Sequence, residues 1–408
     1  MTPPMSAGTV FGPSTRIAAV EAFVIVGDKD YVGGAGLKPP ADAAPQQRRA
    51  LAEIGDRHIC VYPPQAQSCL VKITAEDGTV GWGEGHAPLG PRATAAVVTD
   101  VLAPLLVGED PLAIERHWER MYGSMRLRGH VAGYQLEAIS GVDIALWDLA
   151  GKLTGLPAYR LLNGPFTTTL PCYASGVPGQ TVEARAASAE RFIAEGYTAM
   201  KASIGRGSVD EDLAAVAALI EAADGRADVL VDAHGAYASH TALAVGRELQ
   251  RMGVRWLEDP LPPEDVEGYV ALSAALEMPV AAGETECTRW QFEERLRQKS
   301  VDLILPDICR AGGISEGRKI ALVADLHNVR WAAHVSMGTS VHVAAAAHLA
   351  AASSNFLIFE FSSTPNPIGD VLLTEPLHPE GGYITVPDGP GLGITFDETK
   401  LQQHLLDG

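Results

Sequence analysis

Seven polar residues recur through the second half of the chain at nearly even intervals: Lys201, Asp232, Glu258, Glu284, Asp307, His334 and Glu360. After Lys201 the steps are 31, 26, 26, 23, 27 and 26 residues, about one strand plus one helix each. Each residue closes a short apolar stretch. If those stretches are strands of one barrel, all seven side chains reach the same mouth, where enzymes of that architecture build their active sites. Three acids from consecutive strands, Asp232, Glu258 and Glu284, then converge. Left alone, their charges repel and raise one another's pKa. A divalent cation removes that penalty, and hard oxygen ligands with room for water and substrate favour Mg2+ over zinc or copper. A single such acid is explained as well by a helix cap or a surface ion pair. Three in succession at one spacing are not.

His334 and Asp307 end neighbouring strands, which sets a carboxylate beside an imidazole. That pairing orients the ring and raises its basicity, the arrangement of a general base; an isolated His reads equally as a hydrogen-bonded core residue. Glu360 ends the last strand opposite the three acids. In so acidic a site it is expected to stay protonated and to donate a hydrogen bond to a developing oxyanion, although a lone acid before Phe361 also reads as a buried structural group.

The elements that must position these groups are legible as a rhythm. From Leu170 onward the stretches LPCYASG, TAMKAS, DVLVDAHG, VRWLEDP, MPVAAGE, VDLILPD, VRWAAH and FLIFEF alternate with alanine-rich amphipathic helices. Eight strands separated by helices is the count of an α/β protein of the (β/α)8 TIM-barrel type. Residues 1–150 have a different texture and read as an α+β domain. In CLVKITAEDGTVGWGEG, Asp77-Gly78 separates two alternating segments and predicts a hairpin. Helical patterns follow over about 93–121 and 136–153, and residues 29–67, rich in Gly, Pro and Ala, read as a long mobile loop. The barrel is then expected over 151–365, and a Pro- and Gly-containing segment, 366–408, to return to the first domain.

Composition narrows the function classes. The chain has 408 residues, 47% of them hydrophobic, enough for a large core. No apolar run approaches a membrane span and the first residues lack a secretory pattern, so a cytoplasmic protein is expected. Five cysteines, Cys60, Cys69, Cys172, Cys287 and Cys309, are odd in number and never in CxxC spacing, which argues against disulfides and thiolate zinc. With 50 acidic against 31 basic residues the net charge is −19, which argues against nucleic acid or an anionic membrane as partner. An anionic substrate would need a local cation.

Several stretches resemble the enolase superfamily, in the branch typified by mandelate racemase: GVDIALWDLAGKLTGLPAYRLLNG (141–164), VDAHG (231–235), WLEDPLPPED (256–265), AAGETE (281–286), LPDICRAGGISEGRKIA (305–321) and AAHVSMGTSVHVAAAAHLAAA (332–352). The resemblance spans nearly the whole chain and implies an α+β capping domain on a modified (β/α)7β barrel. It implies abstraction of the proton α to a carboxylate, giving an enediolate held on Mg2+. It matches Asp232, Glu258 and Glu284 to the metal ligands, Asp307 and His334 to the catalytic dyad and Glu360 to the electrophile. The muconate-cycloisomerase and dipeptide-epimerase branch carries a lysine after the sixth strand, where this chain reads Asp307-Ile308-Cys309.

Against that pattern, KASIG at 201–205 departs in one place. Lys201 matches the auxiliary first lysine of a Lys-x-Lys pair, and the direct base is replaced by Ser203. A racemase needs a base on each face of the enediolate, and a serine hydroxyl without an activating partner is too weak. One-sided chemistry suits β-elimination, with His334 as base and His234, two residues past Asp232 on the same side of an alternating strand, as the acid that helps a β-hydroxyl leave. Asp-x-His here is similar to acid-sugar dehydratases. The expectation is therefore a hydro-lyase giving a 2-keto-3-deoxy acid from an acid sugar. An epimerase, racemase or cycloisomerase that recruits Lys201 is the alternative, and a barrel that binds an acid sugar without catalysis a remote one. A homo-oligomer, dimer to octamer, is expected. Tyr31, Lys38, Arg48, Arg49 and His86, with Ser203, are candidate substrate contacts.

Overall fold

The computed structural model of the chain describes residues 15–30, 50–54, 58–63, 65–86, 88–179, 181–363 and 366–406. Five strands come first: β1 (Ile17–Asp30), β2 (Ala50–Ile54), β3 (His58–Tyr62), β4 (Gln65–Ala75) and β5 (Val80–Gly85). β1, β4 and β5 form an antiparallel sheet in that order. The expected hairpin joins β4 to β5: Gly78 takes φ +87°, which a residue without Cβ adopts freely, and Thr79 N–H donates to Asp77 Oδ1. Within the interval read as a loop, β2 and β3 pair as an antiparallel two-stranded ribbon.

One helix, Tyr134–Thr154, lies along β5 with nearly its whole surface buried. Its contact with the strand is made backbone to backbone. A Cβ on Gly81, Gly83 or Gly85 would come within 2.2 Å of Ala145 O, 2.0 Å of Gly141 O and 2.4 Å of Glu137 O respectively. Every second residue of a strand (~6.6 Å) meets every fourth of a helix (~6 Å), so only a glycine stripe lets the two surfaces close. The helix expected over 93–121 is two helices instead. A helical segment over 91–106, with a π-turn at Val97–Leu102, stops before Gly108 (φ +83°) and Pro111, and Ile114–Arg126 restarts it.

Eight parallel strands follow: β6 (Thr169–Ser175), β7 (Ala199–Ser203), β8 (Asp228–Asp232), β9 (Leu257–Glu258), β10 (Val280–Ala282), β11 (Leu303–Ile304), β12 (Arg330–Ala333) and β13 (Phe356–Ser362). Each pairs with the next and β13 pairs with β6, closing the barrel; all eight fall on the expected stretches. β14 (Tyr383–Thr385) adds antiparallel to the start of β6. The barrel interior holds a dry layer of Tyr173, Ala199, Leu230, Trp256, Ala281, Leu303, Leu305 and Ala332. Two large aromatics, edge to face at 5.6 Å, are offset by three alanines, and the layer forms the floor of the mouth.

The capping elements are bolted to this barrel. Asp143 accepts from Ser315 N–H (2.9 Å) and Ser315 Oγ–H (2.6 Å), Trp147 Nε1–H donates to Ser315 Oγ, and Trp118 Nε1–H donates to Gly312 O. The final segment reaches the capping sheet, where Phe396 stacks on Trp82 and Leu406 N–H donates to Val24 O. Among the described residues no helix is long and apolar enough to cross a membrane.

Candidate active site

Strand register alone brings the mouth together. Ser175 lies beside Lys201, Ser203 beside Asp232, and Asp232 beside Glu258. At the centre is the Lys201 ammonium, 2.5 Å from Glu258 Oε1, 2.9 Å from Glu360 Oε1 and 3.5 Å from Asp232 Oδ2. Burial works against its charge, but the three carboxylates outweigh burial and hold Lys201 well above its ordinary pKa. Glu258 also accepts from Trp256 Nε1–H in the aromatic floor.

The structure brings His334 and Asp307 together: His334 Nδ1 lies 2.9 Å from Asp307 Oδ2. Asp307 also caps the short helix Ile308–Ala311 by accepting from Cys309 N–H through Oδ1, and His342 Nε2 lies 3.2 Å from that same oxygen. Against the cost of burial, the two imidazoles keep Asp307 ionised, and Asp307 with Glu284 keeps the His334 pKa high. Here the structure departs from expectation. Glu284 does not join Asp232 and Glu258 around one point; its Oε2 is 3.0 Å from His334 Nε2. Each acid has turned to the cation nearest it.

Glu360, expected to stay protonated, accepts from Ser175 Oγ–H (2.6 Å) and Val335 N–H (2.8 Å) and pairs with Lys201; against burial, Lys201 and His334 pull its pKa down. His234, the expected acid, stands beside Asp232. Its backbone is left-handed (φ +48°), which aims the ring between Asp232 Oδ1 and Ser203 Oγ, each 3.2 Å away, and burial pushes its pKa down to about 4. Ser203, in the place of the second lysine, thus holds the His234 ring. His86 is only 2% exposed and packs against His342, 5.5 Å between ring centroids, so it has no surface for a substrate. Tyr31, Lys38, Arg48 and Arg49 lie outside the described residues.

Other groups escaped sequence reasoning. Asp259, next to Glu258, is buried with φ +37° and an Oδ2 that no hydrogen bond reaches, and burial plus its acidic neighbours push its pKa far up. His342 stands in the first turn of the alanine-rich helix Ser340–Ala351, whose other polar residues are Ser340 and His348, which is a usable signal. Arg310 stands three residues past Asp307.

The donor set fits a hard divalent cation. Four buried carboxylates, Asp232, Glu258, Asp259 and Glu360, share the mouth with the half-buried Glu284, and burial together with their repulsion pushes Asp232, Glu258 and Asp259 upward even with Lys201 among them. Oxygen ligands this crowded, one of them unpartnered, suit Mg2+.

A closed parallel barrel under an α+β cap, with a His–Asp dyad facing clustered acids, is a known combination. Residues 184–400 match the family described as enolase C-terminal domain-like, and residues 59–163 match the mandelate racemase / muconate lactonizing enzyme N-terminal domain. The chain belongs to the mandelate racemase / muconate lactonizing enzyme family of the enolase superfamily. It is 38% identical over 349 residues to a D-galactarolactone cycloisomerase of Agrobacterium fabrum, covering 83% of this chain and 91% of that protein. It is 32% identical to a D-xylonate dehydratase of Haloferax volcanii, covering 88% and 90%. The crystal structure of a 3,6-anhydro-D-galactonate cycloisomerase from Zobellia galactanivorans superposes with a TM-score of 0.82 at 30% identity, covering 96% of this chain and all of that one.

Proposed function

We propose that this protein is a Mg2+-dependent acid-sugar dehydratase that converts an acid sugar to a 2-keto-3-deoxy acid. The observation that carries this is the serine at 203, standing where a second base would. Lys201 is ion-paired with Glu258, Glu360 and Asp232, whereas His334 pairs with Asp307 in a dyad, so His334 is the group placed to remove a proton. Asp232, Glu258 and Glu284 would hold the Mg2+, which polarises the substrate carboxylate and stabilises negative charge developing on it.

The chain's own residues then have these parts. His334 Nε2 takes the α-proton, and Asp307 stabilises the imidazolium that forms and keeps the ring turned. The electrons of the broken C–H bond become a C=C bond as the β C–O bond breaks. The imidazolium of His334, formed when it takes the α-proton, then protonates the departing hydroxyl. The resulting enol tautomerises to the keto acid. His234, held by Ser203, orients a substrate hydroxyl. Lys201 counters the charge of Glu360 and its neighbours.

A second reading has support of its own, because two similar proteins are cycloisomerases. Opening a lactone or anhydro ring by expelling a β-oxygen is the same one-base elimination with the leaving group tethered, so the product mass does not change. Incubating mono- and diacid sugars and their lactones with Mg2+ in deuterium oxide separates the cases. Once the solvent deuterium taken up on tautomerisation is subtracted, a keto acid lighter by one water supports the dehydratase, and a keto acid of unchanged mass from a lactone supports the cycloisomerase. Accumulation of the C2 epimer overturns both. We place the protein in the cytoplasm as a homo-oligomer acting on a small carboxylate; the net charge of −19 argues against nucleic acid.

A further inference from the structure

A chain so acidic must attract an acidic substrate by a local cation, and Lys201 is already engaged by three carboxylates with only 6% of its side chain open. Arg310 is different. It lies in the first turn after β11, its N–H bonded to Asp307 O at 3.0 Å, which anchors it beside the dyad. Its side chain is 34% open, comparable with Glu284 (26%) and His234 (23%), the site groups that face solvent, whereas its neighbour Glu137 is 8% open. Against burial, Asp307, Glu137 and Glu284 hold the Arg310 guanidinium above its ordinary pKa. Its ion pair with Glu137 is loose: Nε stands 3.6 Å from Oε1, outside hydrogen-bond range, while the other Glu137 oxygen accepts from Thr94 Oγ1–H. Glu137 is a weak counter-charge besides, since burial pushes its pKa up to about 7.

We propose that Arg310 receives the second carboxylate of a dicarboxylic sugar acid, or of its lactone, whose first carboxylate is the one activated among Asp232, Glu258 and Glu284. A planar fork of N–H donors suits a carboxylate, and a charged group fixed at the rim discriminates by leaving itself unpaired when a monoacid binds. The preferred substrate is then a diacid. This rests on the acid-sugar reading above. The turnover screen tests that reading by itself, whereas binding of non-reacting acids tests Arg310 whether or not turnover is found.

Calorimetric titration of the Mg2+-loaded protein with succinate, glutarate and adipate, each against the monocarboxylate of equal length, is the decisive measurement. At least one dicarboxylate should bind roughly 100-fold tighter than its monoacid. In Arg310→Gln that ratio should collapse to near one, with Arg310→Lys retaining part of it, and thermal melting should verify that both variants fold. A wild-type protein with no preference for any dicarboxylate, including no binding at all, overturns the proposal. So does an Arg310→Gln variant that weakens both acids alike, because Arg310 then serves only the pairing with Glu137. If Arg310→Gln does not fold, a ratio in Arg310→Lys equal to the wild type's overturns it, and a reduced one supports it.

Discussion

Replacing Asp307 by Asn tests the dyad with almost no change of shape, and the structure says which way the amide must face. Asp307 Oδ1 accepts the Cys309 N–H at 2.9 Å, and a donor there needs an acceptor, so the Asn oxygen stays at that position. The Asn Nδ2 then faces His334 Nδ1, 2.9 Å away in the parent. It donates, Nδ1 must accept, and the neutral ring carries its one proton on Nε2, the atom that has to take the substrate's. The charge that stabilises the imidazolium is lost too. A point-charge attraction across 2.9 Å at an effective dielectric of ~20 is about 6 kcal/mol, an upper bound because a hydrogen bond survives. A fall of roughly 10³-fold, about 4 kcal/mol of barrier, lies inside that bound. The assay is exchange of the substrate's α-hydrogen in deuterium oxide, followed alongside keto-acid formation, with circular dichroism and Mg2+ affinity unchanged. Exchange within ~10-fold of wild type would refute the reasoning, since neither the tautomer nor the charge of Asp307 would then matter to His334.

Two further outcomes are expected. Exhaustive chelation should abolish turnover and Mg2+ restore it, and Glu258→Gln should raise the Mg2+ concentration needed at least tenfold, as read by calorimetry; undiminished turnover after chelation would end the metal-assisted account. Asp143, fully buried between cap and barrel, has its pKa pushed by burial from 3.8 up to about 7. The folded chain therefore holds that proton more tightly than the unfolded one. The stability this lends is complete below about pH 4 and lost as pH rises through about 7, an upper bound of roughly 4 kcal/mol. Urea unfolding at pH 6 and pH 8.5 should show that decline in the wild type and a flatter profile in Asp143→Asn; parallel profiles would exclude Asp143 as its source.

The barrel was legible because each of its strands is a short apolar stretch closed by a polar residue, and because the helices between them have a different period. The same regularity exposed Lys201, Asp232, Glu258, Glu284, Asp307, His334 and Glu360, since strand ends are where side chains turn from the dry floor to the mouth. What those side chains do there was not legible. Whether Glu284 faces Asp232 or His334, and whether Glu360 keeps its proton, depends on which cation is nearest in space, and strand-end spacing carries no such information. Ser203 read as a missing base; only the left-handed backbone of His234 shows it to be that ring's partner. The helical break before Gly108 and Pro111 was written in the chain but masked by continuous apolar spacing on either side.

The glycine stripe of β5 has a consequence for transplantation. Gly81, Gly83 and Gly85 lock the strand to the helix Tyr134–Thr154 at backbone distance, and Asp143 on that helix grips Ser315 of the barrel. Between those glycines, Glu84 accepts from Ser68 Oγ–H, from Thr339 N–H and Oγ–H, and from His342 N–H, seating the start of the helix that carries His342 toward Asp307. The cap sheet is thus held on two sides of the dyad and cannot tilt as a lid without breaking both grips. A chimaera that takes its capping strands from a relative must therefore bring this helix with them, along with partners for Ser315 and Thr339. Strands grafted alone would leave Ser315 and Thr339 without these partners and the helix that carries His342 unseated.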